Sequence, residues 1–119
     1  MKFFLLLMFF ALSVSSIMAQ GSTSKTSVPD SSKKVLLVEA ACGQCRLEMP
    51  GKSCDLAIRI NGKSYFVDGT DIDSHGDAHA ADGFCNSIRK AKVQGQIIND
   101  RFKATYFQLV PEVAKQENK

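Results

Sequence analysis

A small, mostly β domain with one helix is the fold class the sequence predicts, and three observations predict it. Two apolar stretches fold back on themselves through the dipeptides Asn61-Gly62 and Asn99-Asp100, and such pairs accept the positive φ angles of a two-residue hairpin turn. A further apolar run, "KKVLLVEAAC", precedes both. Between the hairpins the apolar residues recur every three or four positions, as on a helix. The expected order is β-β-β-α-β-β, that of a five-stranded OB-like barrel. An open α+β sheet crossed by one helix fits the same order.

Each element has local grounds. The first strand is expected near residues 35–41, where apolar residues run together. In "CDLAIRINGKSYFVDG" the turn register pairs Ile58 with Tyr65 and Leu56 with Val67. Ala57 and Phe66 fall on the opposite face, as in strands covered on both sides. Around residues 78–90, Ala81, Phe84, Cys85, Ile88 and Ala91 predict the helix. Asp77 or Asp82 would cap its start, and Arg89 and Lys90 suit its C-terminal end. Gly83 would weaken it by ~1 kcal/mol relative to alanine. "KVQGQIINDRFKATYFQLV" predicts the closing hairpin, with Val93, Gly95 and Ile97 opposite Tyr106, Ala104 and Phe102. A glycine inside a strand marks a bulge or a barrel bend.

The flanks differ in character. Residues 1–19, "MKFFLLLMFFALSVSSIMA", place Lys2 before an apolar run and end in small residues, the pattern of a secretory signal peptide. The run is too short for a permanent membrane span. The mature chain is therefore expected to be exported, periplasmic or secreted, with no span after signal removal. Residues 20–33 are rich in serine, threonine and lysine and read as a flexible leader. Residues 111–119 read as a polar tail. The domain expected between them, residues 34–110, is small enough to need covalent or metal support.

The full chain carries a formal charge of only +3. That weak excess, with export and scattered aromatics, opposes a nucleic-acid partner. Acidic residues gather from Asp68 to Asp82 and basic ones from Arg89 to Lys103, which predicts an acidic and a basic lobe. Hydrolysis is disfavoured. Ser74 beside His75 is adjacency in sequence, not a triad, and no oxyanion-hole motif accompanies it.

Cys42, Cys45, Cys54 and Cys85 carry most of the chemical information. An even number in a small exported chain suggests disulfides. All three pairings stay open, and each closure would add about 2–4 kcal/mol. The same thiols also suit a metal, because the C-x-x-C of "CGQC" lets one turn hold two thiolates on a zinc-sized ion. Cys54 and Cys85 would complete the set, with His75 or His79 able to replace one sulfur. Zinc and copper are the ions such ligands take. A third use of the C-x-x-C turn is thiol redox or metal delivery, although the following "RLEMPGK" is a poor helix start for lowering a thiol pKa.

The stretch "DIDSHGDAHAADGFC" adds two possibilities. His75 and His79 are four apart and would share a helix face, as metal-binding pairs do. Asp71, Asp73, Asp77 and Asp82 follow the spacing of a calcium loop around Gly76. Against calcium stand His75, a poor ligand, and Asp82, shorter than the usual glutamate.

The segments "EAACGQC", "CDLAIRINGKSYFVDG", "HGDAHAADGFCNSIRKAKVQG" and "RFKATYF" together resemble a family of small exported bacterial proteins known as a domain of unknown function. The resemblance covers residues 39–107. It implies an exported, self-contained, cysteine-bearing domain and supplies no activity, ligand or catalytic residue. More distantly, the last hairpin is similar to small periplasmic OB-like barrels, which implies a binding role. The expected function is a non-enzymatic exported module braced by its cysteines, with a transition-metal or small-ligand site near His75, His79 and the C-x-x-C turn.

Overall fold

A computed structural model of the chain describes residues 28–112. The expected signal peptide, residues 1–19, lies outside them. The elements are β1 (Leu36–Cys42), α1 (Gly43–Arg46), β2 (Leu56–Ile60), β3 (Lys63–Asp68), β4 (Arg89–Ile98) and β5 (Arg101–Leu109). The strands close a barrel in the order β1-β2-β3-β5-β4. All pairs are antiparallel except β3 and β5, which run parallel. β1 pairs with both β2 and β4, so no edge is left and the open-sheet alternative is excluded. The architecture is that of an OB-like barrel.

The first hairpin follows its turn chemistry. Asn61 and Gly62 have φ of 50° and 83°, and Ile58 pairs with Tyr65 and Ala57 with Phe66. Asn99 and Asp100 likewise have φ of 52° and 59°, and Ile97 faces Phe102 and Gly95 faces Ala104. Beyond Gly95 the register shifts, so that Val93 faces Phe107 rather than Tyr106. The bulge is on β5: Gln94 pairs with Tyr106 and Gly95 with Ala104, leaving Thr105 as the extra residue. A bulge of this kind bends a strand into barrel curvature.

The helix is not where periodicity put it. Residues 78–86 form consecutive turns and bends, and the helix is instead the single turn at Gly43–Arg46. The three-residue rhythm of the region belongs to those turns. Ala80 N–H donates to the Asp77 carbonyl, Gly83 to Ala80 and Asn86 to Gly83. The Asn86 amide takes the carbonyls of His79 and Ala80, and Arg89 takes that of Asp82, which consumes acceptors that a helix would need. Asp77 does not cap a helix but accepts from the His79 N–H two residues on. Gly83 is required by packing rather than tolerated: a Cβ there would lie 2.3 Å from the Asp77 carbonyl oxygen and 2.4 Å from that of Ala78.

Inside the barrel Val38, Ile58, Val67, Val93, Phe102 and Phe107 are buried, with Ile72 and Phe84 from the long β3–β4 connection. A second apolar cluster forms on the outer face of β1 and β2. Ala41 and Ala57 lie there beneath Leu47, with Met49 and Phe66 packed against them. The β1–β2 connection therefore folds over the sheet, and both faces of the first hairpin are covered as its sequence indicates. Buried Gln94 accepts from the Asp30 N–H and donates to the carbonyls of Asp30 and Lys33. The end of the expected leader is thus fastened to β4. Among the described residues no helix is long and apolar enough to cross a membrane.

Candidate metal centre

Three stretches of chain deliver the four thiols to one point. Cys42 ends β1, Cys45 lies in α1, Cys54 precedes β2 and Cys85 sits in the β3–β4 connection. Backbone hydrogen bonds set the approach of these stretches. Cys42 N–H donates to the Phe84 carbonyl at 3.0 Å, which places Cys85 alongside. Gly43 N–H donates to the Asp55 carbonyl at 2.8 Å, which places Cys54 alongside. Arg46 donates from Nε to the Cys85 carbonyl at 3.1 Å and from its terminal nitrogen to the Asn86 carbonyl. Gln44 is locked by Asp55, whose N–H it accepts and whose carboxylate it bonds.

The four sulfur atoms all lie within 4.8 Å of one another. A zinc ion with Zn–S bonds of ~2.3 Å holds tetrahedral sulfurs about 3.8 Å apart. Cys45 and Cys54 are 4.0 Å apart, close to that edge. Cys54 and Cys85, at 2.9 Å, would open by roughly 0.9 Å to reach it. All four cysteines are free. The donor set is four soft sulfurs, one buried, two half-buried and one exposed, and it fits a single tetrahedral ion.

The four thiols are not equivalent in acidity. Burial disfavours charge on Cys42, but hydrogen bonds from the Cys45 and Cys54 thiols and from the Cys45 N–H outweigh it, and its pKa falls. The Cys45 N–H lies 3.3 Å from that sulfur. The bond to Cys42, then burial, pushes Cys45 up to about 11. Cys54 is raised by burial first, then by its bonds to Cys42 and Cys85. The Cys42 pKa is thus lowered while those of Cys45 and Cys54, its hydrogen-bond donors, are raised. A divalent cation would remove this unevenness, because coordination deprotonates thiols outright.

Other sequence candidates lie elsewhere. His75 and His79 are not among the converging ligands. His75 is half-buried, with Nε2 2.8 Å from the Thr70 hydroxyl and its ring packed on Phe84 and Phe107. Burial lowers its pKa, opposed by the charge of Asp71. His79 is exposed beside Asp77. Two of the calcium-loop carboxylates are engaged locally. Asp77 accepts from His79 N–H, and Asp82 faces Arg89 at 3.8 Å. Among the described residues, Asp71, Asp73, Asp77 and Asp82 do not form a converging ligand group. The expected acidic and basic lobes meet instead, since Asp68 is bonded by Arg101 and Lys103 across the β3–β5 seam.

Sequence reasoning missed Gly43, Arg46 and Gln44, which frame the thiols. Gly43 could have been suspected from its place inside C-x-x-C. A Cβ there would lie 2.7 Å from the Phe66 ring and 2.9 Å from the Met49 sulfur. Nothing in the sequence marks Arg46.

The model of a family described as "Family of unknown function (DUF6370)" matches residues 36–110, and the chain belongs to that family. The match spans β1 to the end of β5 and contains all four cysteines. No curated protein and no solved structure matches the chain.

Proposed function

We propose that this member of the DUF6370 family is an exported, non-enzymatic metal-binding module that holds one zinc ion on Cys42, Cys45, Cys54 and Cys85. The observation that carries the reading is the convergence of four sulfurs within 4.8 Å from three separate stretches of chain. Four-sulfur tetrahedral sites favour zinc over copper(II), which prefers planar nitrogen and oxygen donors. The signal-like pattern of residues 1–19 supports export. Bound zinc would also brace a small barrel, since binding free energy at such a site is folding free energy.

Intact mass of the mature chain, native and denatured, with and without reductant, tests the reading. The expected result is one zinc in the native spectrum and four alkylatable thiols after denaturation with a chelator. A chain without metal that gains roughly four mass units on reduction carries two disulfides instead, and the zinc reading fails.

One distance favours a second reading. Cys54 and Cys85 approach to 2.9 Å. In an oxidising compartment this pair would pass two electrons to a partner's disulfide, lose two protons and become a disulfide, making the chain a dithiol exchanger. Thiol trapping distinguishes it: a pair that cycles with a disulfide–dithiol buffer supports exchange, and a permanently reduced, zinc-bound pair removes it.

A further inference from the structure

The four ligands are not equally enclosed. Cys42, at the end of β1, is fully buried, Cys54 and Cys85 are half-buried, and Cys45 in α1 is exposed. A sealed structural site hides all its sulfurs, whereas one accessible ligand leaves a face at which a competing ligand can attack. The neighbouring surface suits arrival of a cation. Cys54 also lines a cleft of about 530 Å³ whose wall carries Asp55, Asp71 and Asp73 beside the Asp68–Arg101 pair, and an excess of carboxylates in a cleft raises the local concentration of cations. Cys54 links the two features, since it lines the cleft and its sulfur is 4.0 Å from that of Cys45.

We infer that the thiol centre is an exchange site, in which Cys45 is the ligand displaced when zinc passes to a thiol-bearing acceptor. The inference rests on the zinc reading above and adds a metal-transfer activity to it. In the transfer step an acceptor thiol loses its proton and its sulfur bonds zinc as the zinc–Cys45 bond breaks. The proton released by the incoming thiol goes to the departing Cys45 sulfur. No electron moves and the charge of the ion is unchanged. Cys42, Cys54 and Cys85 keep hold until further acceptor thiols replace them in turn. Cys42 is the last to leave, because it is buried and its backbone is bonded to Phe84.

The experiment uses the zinc-loaded mature chain. Limited alkylation with N-ethylmaleimide, mapped by peptide mass, reads which sulfur is attacked while zinc is bound. Zinc transfer to a chromogenic pyridylazo chelator reads the kinetics. Cys45 is expected to be modified first, at least about tenfold faster than Cys42, and the transfer rate is expected to rise with chelator concentration. Cys45→Ser is expected to retain one zinc and release it roughly 10–100-fold faster, within the range for altered ligand shells. Equal protection of Cys45 and Cys42, with transfer independent of chelator concentration, overturns the exchange role and leaves the zinc reading standing. A Cys45→Ser chain that binds no zinc overturns it as well. Wild-type chain without zinc overturns the zinc reading itself.

Discussion

Cys42 and Phe84 are joined by a backbone hydrogen bond of 3.0 Å, and that bond couples the barrel interior to the thiol centre. Phe84 fills the core at 3% exposure, and the next residue is Cys85, one of the four converging thiols. Packing and ligand placement are therefore one event. Phe84→Ala should cost about 3–5 kcal/mol, read as a fall in Tm. Excess zinc should restore part of that loss by mass action, with the restoration measured by thermal melts across a zinc series. A melt insensitive to zinc in both chains would count against the coupling.

Gly43 sits under the Phe66 ring and the Met49 sulfur with no room for a methyl group. Gly43→Ala should destabilise the fold by about 1–3 kcal/mol through overpacking. The same change should weaken zinc binding to the extent that α1, rather than the Phe66 and Met49 side chains, yields to the added methyl group. Chemical denaturation and competition titration check the two effects separately.

Arg46 bonds the carbonyls of Cys85 and Asn86 and touches no sulfur directly. Arg46→Ala should leave zinc stoichiometry unchanged and lower affinity by about tenfold, as loss of an outer-shell partner does. Arg46→Lys should recover little of this, because an ammonium group cannot span both carbonyls with a fixed fork.

His75→Ala and His79→Ala should leave zinc affinity unchanged, since neither ring joins the sulfurs. The two variants should differ in stability. His79 is exposed, and its loss should fall within about ±0.5 kcal/mol. His75 packs on Phe84 and Phe107, and its replacement should destabilise the fold measurably. Burial depresses the His75 pKa below 6.5. The stability contributed by its neutral ring is therefore present above about pH 6.5 and lost as pH falls through and below that value. His75→Ala should flatten this part of the pH profile, read by denaturation midpoints between neutral and mildly acidic buffers.

Asp68 holds the one parallel seam of the barrel. Hydrogen bonds from Arg101 and Lys103 lower its pKa to about 2. A depressed carboxylate contributes stability above its unfolded pKa of about 3.9, and that contribution disappears as pH falls toward 2. The group is partly exposed, so Asp68→Asn should cost only about 0.5–1 kcal/mol at neutral pH. Its effect should vanish in strong acid, as checked by denaturant melts at both ends of the range.

The hairpins were legible in the sequence because their determinants are local. Asn61-Gly62 and Asn99-Asp100 hold positive φ by themselves, and alternation then sets which residues face inward. Gly95 announced a bulge for the same reason. The helix expected over residues 78–90 failed because periodicity counts apolar spacing and cannot see what a carbonyl bonds to. There Asn86, Arg89 and the crowded Gly83 organise turns through contacts that no spacing records.

By itself the sequence determined the mostly β class, the turn registers and the identity of the four thiols as the chemical feature of the chain. Only the tertiary structure decided that these thiols share one point and that the histidines do not join them. Convergence depends on barrel closure and on long-range bonds such as Cys42 to Phe84 and Gly43 to Asp55. Those bonds join residues far apart along the chain, so no local pattern carries their geometry.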